Sequence, residues 1–162
     1  MTSTSSRTRS TSSTDFVVIA LGSNLGDRRL NLARAVHEMR TAVRIVRLSR
    51  IHETDPVDAP AGSQRFFNMV VAGYTALSPE ELMASLLGIE ARLGRIRRGI
   101  RNAPRIIDLD VILFGATLRR SRSLTLPHPR YRDREFVTAP LRELRLPWRD
   151  PVTGEPLSGT AR

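Results

Sequence analysis

The chain has 162 residues, the size of one ordinary domain, and it contains no cysteine. The absence of cysteine excludes disulfides, thiol nucleophiles and cysteine-ligated metals. All 26 basic residues are arginine, so the net charge of +10 arises without lysine. A Walker A loop, Schiff-base chemistry and a protein-kinase active site each need a lysine and are therefore excluded. Any phosphate chemistry here must use guanidinium groups, which bind phosphate through paired hydrogen bonds.

The first 14 residues, MTSTSSRTRSTSST, contain no apolar residue after Met1. Such a segment cannot contribute to a core, so we predict a disordered tail over residues 1–14 and a single domain over residues 15–162. The chain has no apolar run of about 18 residues and no signal-peptide core. We therefore expect a soluble, cytoplasmic protein that does not interact with membranes.

The first half of the body predicts two strands separated by a helix. An apolar strand over residues 16–21 precedes a helix that Asp27 caps and that ends near Ala42, and a second strand covers residues 43–51. A loop rich in Pro, Asp and Gly over residues 52–64 is longer than a hairpin needs and is a candidate for function. The inner face of the first helix is expected to carry Leu30, Ala33, Val36 and His37.

The second half begins with a predicted strand over residues 66–76. Ser78 and Glu81 form a capping box at the start of a second helix. A strand over residues 106–114 and a short helix around residues 140–144 complete the pattern. This mixture favours an α+β fold in which helices pack on a central, mainly antiparallel sheet. The apolar stripe of the second helix is expected to contain Leu82, Leu86, Ile89 and Leu93.

Two aspartates alternate along the strand of residues 106–114. Because successive side chains point to opposite faces, Asp108 and Asp110 share one face, with Cβ atoms about 6.5 to 7 Å apart. Such a pair can hold Mg²⁺ ions that bridge a polyphosphate. A solvated pair on an open strand face is the alternative. The opposite face is expected to carry Ile107, Leu109, Val111 and Leu113.

An arginine-rich segment leads directly into this strand. From Glu90 to Arg105 the chain carries six arginines and one acid. A solvated surface or a nucleic-acid patch would explain such a run. Because the run ends at the two aspartates, we interpret it as one side of a polyphosphate site. The six arginines are Arg92, Arg95, Arg97, Arg98, Arg101 and Arg105.

The segment LTLPHPRYRDREF, residues 124–136, is the third chemical constellation. It places His128 between two prolines, which restrict the direction of the ring, and Arg134 and Phe136 follow. We interpret the other histidines, His37 and His52, as structural residues.

Taken together, these segments resemble the 6-hydroxymethyl-7,8-dihydropterin pyrophosphokinases of the folate pathway. The resemblance extends in order from about Phe16 to Leu146. It implies a ferredoxin-like fold and the Mg²⁺-dependent transfer of diphosphate from ATP to the hydroxymethyl group of the pterin, with release of AMP. The matching segments are ALGSNLGD at 20–27, ETDP at 53–56, Q-x-x-F-N at 64–68, IEARLGRIR at 89–97, PRIIDLDVILFG at 104–115, LPHPR at 126–130 and R-x-F at 134–136.

The resemblance also implies roles for individual residues. Asp108 and Asp110 match the ligands of two Mg²⁺ ions, and Arg95 and Arg105 match catalytic arginines that hold the transferring phosphates. The positions expected to contact ATP are Glu90, Arg97, Arg101, His128 and Arg134. The positions expected to contact the pterin are Thr54, Pro56, Phe66, Asn68 and Phe136, with the two aromatic rings on opposite faces of the ligand.

Two alternatives remain at this level. Ferredoxin-like sheets with basic loops also bind RNA. However, strand aspartates would repel a phosphate backbone, and no RNP1-like aromatic cluster occurs. We therefore expect a monomer that binds small-molecule substrates and no nucleic acid. A weakly active relative is the second alternative, because Asn102 stands where the family often has a tryptophan in its active-site loop.

Overall fold

The computed structural model describes residues 13–57, 60–96, 99 and 103–158. The tail predicted over residues 1–14 therefore lies almost entirely outside the described residues. Within these ranges no helix is both long and apolar enough to cross a bilayer. The elements in chain order are β1 (Asp15–Ser23), α1 (Arg28–Met39), β2 (Arg44–Leu48), β3 (His52–Thr54), β4 (Phe66–Thr75), α2 (Pro79–Arg92), β5 (Asp108–Phe114), β6 (Arg119–Arg120), β7 (Thr125–Leu126), a 3-10 turn (Tyr131–Asp133) and α3 (Glu135–Glu143).

Five strands form one antiparallel sheet in the order β2, β4, β1, β5, and β3 pairs with the beginning of β4. The long central pair joins β1 to β4, from Asp15 opposite Thr75 to Ser23 opposite Phe67. The path β1–α1–β2 followed by β4–α2–β5 is a repeated split β–α–β unit, which is the ferredoxin-like arrangement. The predicted α+β class and the ferredoxin-like fold are both confirmed.

Apolar clusters cover both faces of this sheet. The alternation along β1 supplies both, since Val17 and Ile19 belong to the cluster under α1 and α2, whereas Val18 belongs to the cluster under α3. The predicted stripe of α2 is confirmed, because Leu82, Leu86 and Ile89 are fully buried and Leu93 packs at the edge of the same cluster.

The buried face of α1 differs from the prediction. Two candidate stripes share the three-to-four residue spacing of a helix, so periodicity alone does not choose between them. Each stripe has one leucine and one alanine, but the buried stripe adds Met39 where the predicted stripe ends in His37, and a methionine leaves water more favourably than a histidine does. The buried positions are Leu32, Ala35 and Met39, and the exposed positions are Leu30, Ala33 and His37.

Ser49 divides the predicted strand of residues 43–51. Its backbone N–H donates to the carbonyl of Val70 at 3.0 Å, but its hydroxyl replaces a backbone carbonyl and accepts the N–H of Val70 at 2.9 Å. A side chain that substitutes for the backbone interrupts the ladder. The first strand therefore ends at Leu48, and β3 forms within the region predicted to be a loop.

A β-bulge interrupts the alternation of β5. Val18 pairs with Leu113 while Ile19 pairs with Val111, so Ile112 is the extra residue. Leu113 consequently packs in the cluster under α3, and its predicted position beside Val111 is wrong. Asp108 lies before the bulge, as does the second aspartate, so the predicted pairing of the two carboxylates on one face is unaffected.

The predicted capping box of α2 is confirmed. Ser78 Oγ accepts the backbone N–H of Glu81 at 3.2 Å, and Glu81 Oε2 accepts the N–H of Ser78 at 2.7 Å. We expect Ser78→Ala to lower the free energy of unfolding by about 1 kcal/mol, measured by urea denaturation. Ser123→Ala, at an exposed serine outside any helix, is the control and should change it by less than about 0.5 kcal/mol. Equal effects of the two variants would contradict the role of the cap.

Candidate active site

A cavity of about 760 Å³ lies between the sheet, α2 and the chain from His128 to Val137. Most of the predicted site residues line this cavity. Those expected to contact ATP, to hold Mg²⁺ or to act in catalysis are Glu90, Arg95, Arg105, Asp108, Asp110, His128 and Arg134. Those expected at the pterin are Thr54, Phe66, Asn68 and Phe136.

Three predicted positions are not among the lining residues. Pro56 is half-buried and does not line the cavity, although its neighbours Asp55 and Val57 do. Arg97 and Arg101 lie outside the described residues.

The sheet register builds the floor of this cavity. Gly22 of β1 pairs with Asn68 on one side and with Asp108 on the other, so a polar row crosses three adjacent strands. A Cβ at Gly22 would lie 3.1 Å from Asn68 Oδ1 and 3.6 Å from the ring of Phe66. The glycine therefore leaves the room that these two side chains occupy. In the sequence, Gly22 stands out only as part of the matching segment ALGSNLGD, because its role depends on the strand register.

A network of arginines and acids forms the charged half of the cavity. Arg95 Nη1 lies 2.5 Å from both Glu90 Oε1 and Asp108 Oδ1, and Arg105 Nη1 lies 3.0 Å from Asp108 Oδ2. Glu90 Oε1 also accepts the backbone N–H of Leu109 at 2.8 Å, which joins α2 to β5. Burial opposes the charge of Arg95, but Asp108 and Glu90 outweigh it and raise the pKa of this guanidinium.

Asn24 holds the backbone of Arg105. Its Oδ1 accepts the N–H of Arg105 at 2.8 Å, and its own backbone N–H donates to the carbonyl of Arg105 at 3.1 Å. Asn24 is almost fully buried. Two hydrogen bonds to the backbone of one residue restrict where the guanidinium of Arg105 can reach. Sequence reasoning missed Asn24, because its partner lies 81 residues away.

The other half of the cavity is aromatic and polar. Asn68, which is buried, donates from Nδ2 to Thr54 Oγ1 at 2.7 Å. The guanidinium of Arg105 lies 5.8 Å from the ring centre of Phe66, and that of Arg134 lies 5.5 Å from the ring centre of Phe136. Each ring is thus next to an arginine of the charged half, so the two halves meet along the rings.

His128 is held as a neutral ring. Burial, together with the charges of Arg134 and Arg130, lowers its pKa to about 4. The ring nitrogen Nδ1 accepts the backbone N–H of Arg130 at 3.2 Å, and the backbone N–H of His128 donates to the carbonyl of Ile112 at 2.8 Å. The remaining ring proton is then on Nε2, which can donate a hydrogen bond.

Comparison with known proteins decides the family. The family model described as 7,8-dihydro-6-hydroxymethylpterin-pyrophosphokinase (HPPK) matches residues 18–146. The chain belongs to the HPPK family. This confirms the resemblance inferred from the sequence motifs.

The HPPK relatives differ in how much of their length the chain covers. The 2-amino-4-hydroxy-6-hydroxymethyldihydropteridine pyrophosphokinase of Bacillus subtilis is 44% identical over 132 residues, which are 80% of this chain and 78% of that protein. The mitochondrial folate synthesis bifunctional protein of Pisum sativum is 46% identical over 132 residues, which are 79% of this chain and 25% of that protein. The chain therefore spans about a quarter of this plant protein.

A solved structure supports the HPPK fold. The crystal structure of wild-type Plasmodium falciparum HPPK-DHPS with pteroate superposes with a TM-score of 0.66 at 13% sequence identity. The match covers 90% of this chain and 41% of that one.

Asp110 indicates what the HPPK site can hold. Burial, together with the nearby charge of Asp108, raises the pKa of Asp110 to about 6. A divalent cation relieves such repulsion, and Mg²⁺ takes one or two carboxylates together with water and substrate phosphates. Across the described ranges no group of three or more acidic or histidine side chains is placed to bind a metal. The side chains that could hold Mg²⁺ here are the carboxylates of Asp108 and Asp110, with water and substrate phosphates as the further ligands.

Asp110 and His128 should give the HPPK fold opposite responses to pH in metal-free buffer. The pKa of Asp110 is raised from 3.8 to about 6, so its contribution to stability is present below pH 3.8 and is lost as the pH rises through 6. The pKa of His128 is lowered from 6.5 to about 4, so its contribution is present above pH 6.5 and is lost as the pH falls through 4. The two contributions largely cancel in the wild-type protein.

Single variants should separate these contributions. Between pH 4 and 6.5, we expect the unfolding free energy of Asp110→Asn to increase with pH and that of His128→Gln to decrease. Each change should be about 2 kcal/mol once solvent screening at these partly exposed groups is allowed for. Urea denaturation with EDTA at several pH values measures both slopes. Identical slopes in the wild type and both variants would contradict the prediction.

Proposed function

We propose that this protein transfers the diphosphoryl group of ATP to the hydroxymethyl oxygen of 6-hydroxymethyl-7,8-dihydropterin, releasing AMP, as a step of folate biosynthesis. One observation carries the proposal: a single cavity joins a carboxylate pair and its arginines to a polar, aromatic half. The names of the family and of its bacterial relatives support the choice of reaction and acceptor.

The charged half of the cavity binds the triphosphate. Both oxygens of Asp108 are paired with arginines, one with Arg95 and the other with Arg105. A triphosphate offers these guanidinium groups new anionic partners, which frees Asp108 to bind a cation beside Asp110. When bound there, Mg²⁺ neutralises charge on the phosphate oxygens as the bond to AMP breaks. Two such ions are proposed, as in the sequence-based prediction.

Further residues orient the nucleotide. Glu90 holds Arg95 from α2, so the guanidinium reaches the cavity in one orientation. Neutral His128 donates from Nε2, and Arg134 adds a charge on the same side of the cavity. Arg97 and Arg101 complete the proposed ATP contacts.

The aromatic half binds the pterin. Its flat ring lies between Phe66 and Phe136, where stacking and burial both stabilise it. Asn68 presents a carboxamide that donates and accepts, which matches the alternating donors and acceptors of a pterin edge. Thr54 orients that carboxamide through the 2.7 Å hydrogen bond, and the chain at Pro56 supplies backbone groups to the same edge.

In the transfer step, the hydroxymethyl oxygen attacks the β-phosphorus. A new P–O bond forms as the bond from the β-phosphorus to the oxygen that bridges it to the α-phosphorus breaks. AMP leaves with that oxygen and its electron pair, and the hydroxyl proton passes to solvent. Arg95 and Arg105 lower the barrier by stabilising charge on the transferring phosphates.

The test is AMP formation from ATP, followed by chromatography. We expect AMP only when Mg²⁺ and 6-hydroxymethyl-7,8-dihydropterin are both present. The matched control is 6-methyl-7,8-dihydropterin, which keeps the ring but lacks the nucleophilic hydroxyl and should give no AMP. The absence of AMP with the complete mixture would overturn the proposal. If RNA then bound with a steep salt dependence, the alternative of an RNA-binding module would replace it.

One chain supplies both halves of the cavity, so we also propose that the protein acts as a monomer on small molecules in the cytoplasm. Sedimentation at assay concentrations should give a single species of about 18 kDa. A species that sediments as a dimer and keeps its specific activity on dilution would contradict the proposal that the protein acts as a monomer.

A further inference from the structure

Glu143, the last residue of α3, makes three hydrogen bonds with the chain at the start of β3. Its Oε2 accepts the backbone N–H of Arg50 at 3.1 Å. Its Oε1 accepts a hydrogen bond from Nη2 of Arg50 at 3.1 Å and lies 2.7 Å from Nε2 of His52. The side chains of Glu143 and His52 are only 22% and 28% exposed, so the contact is largely screened from solvent.

On the strand side, this contact is next to the polar residues of the aromatic half of the cavity, which is proposed to bind the pterin. His52 and Thr54 are two residues apart on β3, so their side chains point to the same face. His52 pairs directly opposite Asn68 of β4, and Asn68 donates to Thr54 Oγ1. β3 has only three residues, so few backbone hydrogen bonds hold it in place.

On the helix side, the contact lies on the helix that carries Phe136, one of the two aromatic residues of the cavity. Glu143 follows Phe136 by seven residues, or two helical turns, so both side chains lie on the same side of α3. Thr54 of β3 and Phe136 of α3 both line the cavity, and Glu143 joins the two elements that carry them. None of the hydrogen bonds described for Glu143 reaches the network of Arg95, Arg105 and Asp108.

We propose that Glu143, acting through His52, is a positioning residue for the pterin: it sets the separation between Thr54 on β3 and Phe136 on α3. This inference rests on the proposed function, because it concerns the acceptor half of that site. It assigns a role in binding to His52, which sequence reasoning treated as a structural residue.

The experiment measures the affinity of each ligand separately. Binding of 6-hydroxymethylpterin is followed by its fluorescence in the presence of Mg²⁺ and α,β-methylene ATP, which cannot transfer its diphosphate. For Glu143→Ala, we expect the pterin dissociation constant and KM to rise about tenfold, with kcat and the affinity for the ATP analogue within about twofold. The control is Arg142→Ala, since Arg142 pairs with Glu135 on the same helix and makes no described contact with β3.

Substitutions at His52 provide a rescue. His52→Ala should reproduce the loss in pterin affinity. His52→Gln should keep most of the wild-type affinity, because the glutamine amide can donate in place of Nε2. The losses in Glu143→Ala and His52→Ala should not add in the double variant. Equal weakening of both ligands, or additive losses, would indicate general loosening of the fold and overturn the inference.

The outcomes also separate this inference from the proposed function. If the wild-type protein binds no pterin, the proposed function fails. If the wild-type protein binds the pterin and Glu143→Ala binds it equally well, only the positioning role of Glu143 fails.

Discussion

Asp110→Ala is expected to lower kcat by about a thousandfold or more while the pterin still binds. The variant removes one of the two carboxylates proposed to hold Mg²⁺, so charge on the triphosphate is no longer neutralised as the bond to AMP breaks. The stacking proposed for the pterin between Phe66 and Phe136 would not depend on that charge. Steady-state AMP formation and pterin fluorescence measure the two effects separately.

The variant should also remain folded. Burial and Asp108 raise the pKa of Asp110 to about 6. Near neutral pH the carboxylate is ionised, and this charge lowers the free energy of unfolding. Removing it should leave metal-free stability at pH 7 unchanged or higher, in contrast to the loss of activity. Asp133→Ala is the matched control, because Asp133 is an exposed acid that lines the same cavity and should change kcat by less than about threefold. Near wild-type turnover in Asp110→Ala would remove Asp110 from the metal site.

Arg95→Ala is expected to reduce both stability and turnover. The guanidinium is largely buried between Glu90 and Asp108, and the side chain of Glu90 is only 3% exposed. Losing one partner of a buried ion pair costs about 3 kcal/mol, since the remaining charge stays desolvated. Turnover should fall by roughly a hundredfold or more, because a charge aimed at the transferring phosphates is lost. Urea denaturation and AMP formation measure the two effects.

Two comparison variants sharpen this prediction. Arg92→Ala breaks a pair with Glu38 in which the arginine is 60% exposed, so it should cost less than about 1 kcal/mol and leave turnover unchanged. Arg95→Lys keeps the charge but loses the planar fork, so it should restore part of the stability and little of the turnover. Equal losses of stability and turnover in Arg95→Ala and Arg92→Ala would contradict the role of Arg95 in the site.

The same arginines connect the structure to the proposed reaction. Arg95 and Arg105 neutralise Asp108, which would otherwise face Asp110 as a second negative charge. Polyphosphate and cation together offer a replacement for every one of these pairs. We therefore expect the nucleotide and Mg²⁺ to stabilise the protein together by more than the sum of their separate effects, measurable as shifts in Tm.

The local sequence was sufficient where a feature depends on spacing along the chain. Strand alternation placed Asp108 and Asp110 on one face, and the capping box from Ser78 to Glu81 started α2 at the predicted residue. Such features involve neighbours within one or two turns, so periodicity and side-chain chemistry determine them. The order of the motifs then identified the family and its α+β fold.

Only the tertiary structure decided features that join distant segments. Two stripes of α1 had helical spacing, and packing on the sheet selected the one with Leu32 and Met39. Asn24 meets Arg105 across 81 residues, and His52 meets Glu143 across 91. The sequence by itself thus determined which chemical groups this protein has and that the two aspartates share one face of β5, but it did not determine which face of α1 is buried. The pairing of those groups depends on strand register and helix docking, which follow from burial over the whole chain rather than from any local pattern.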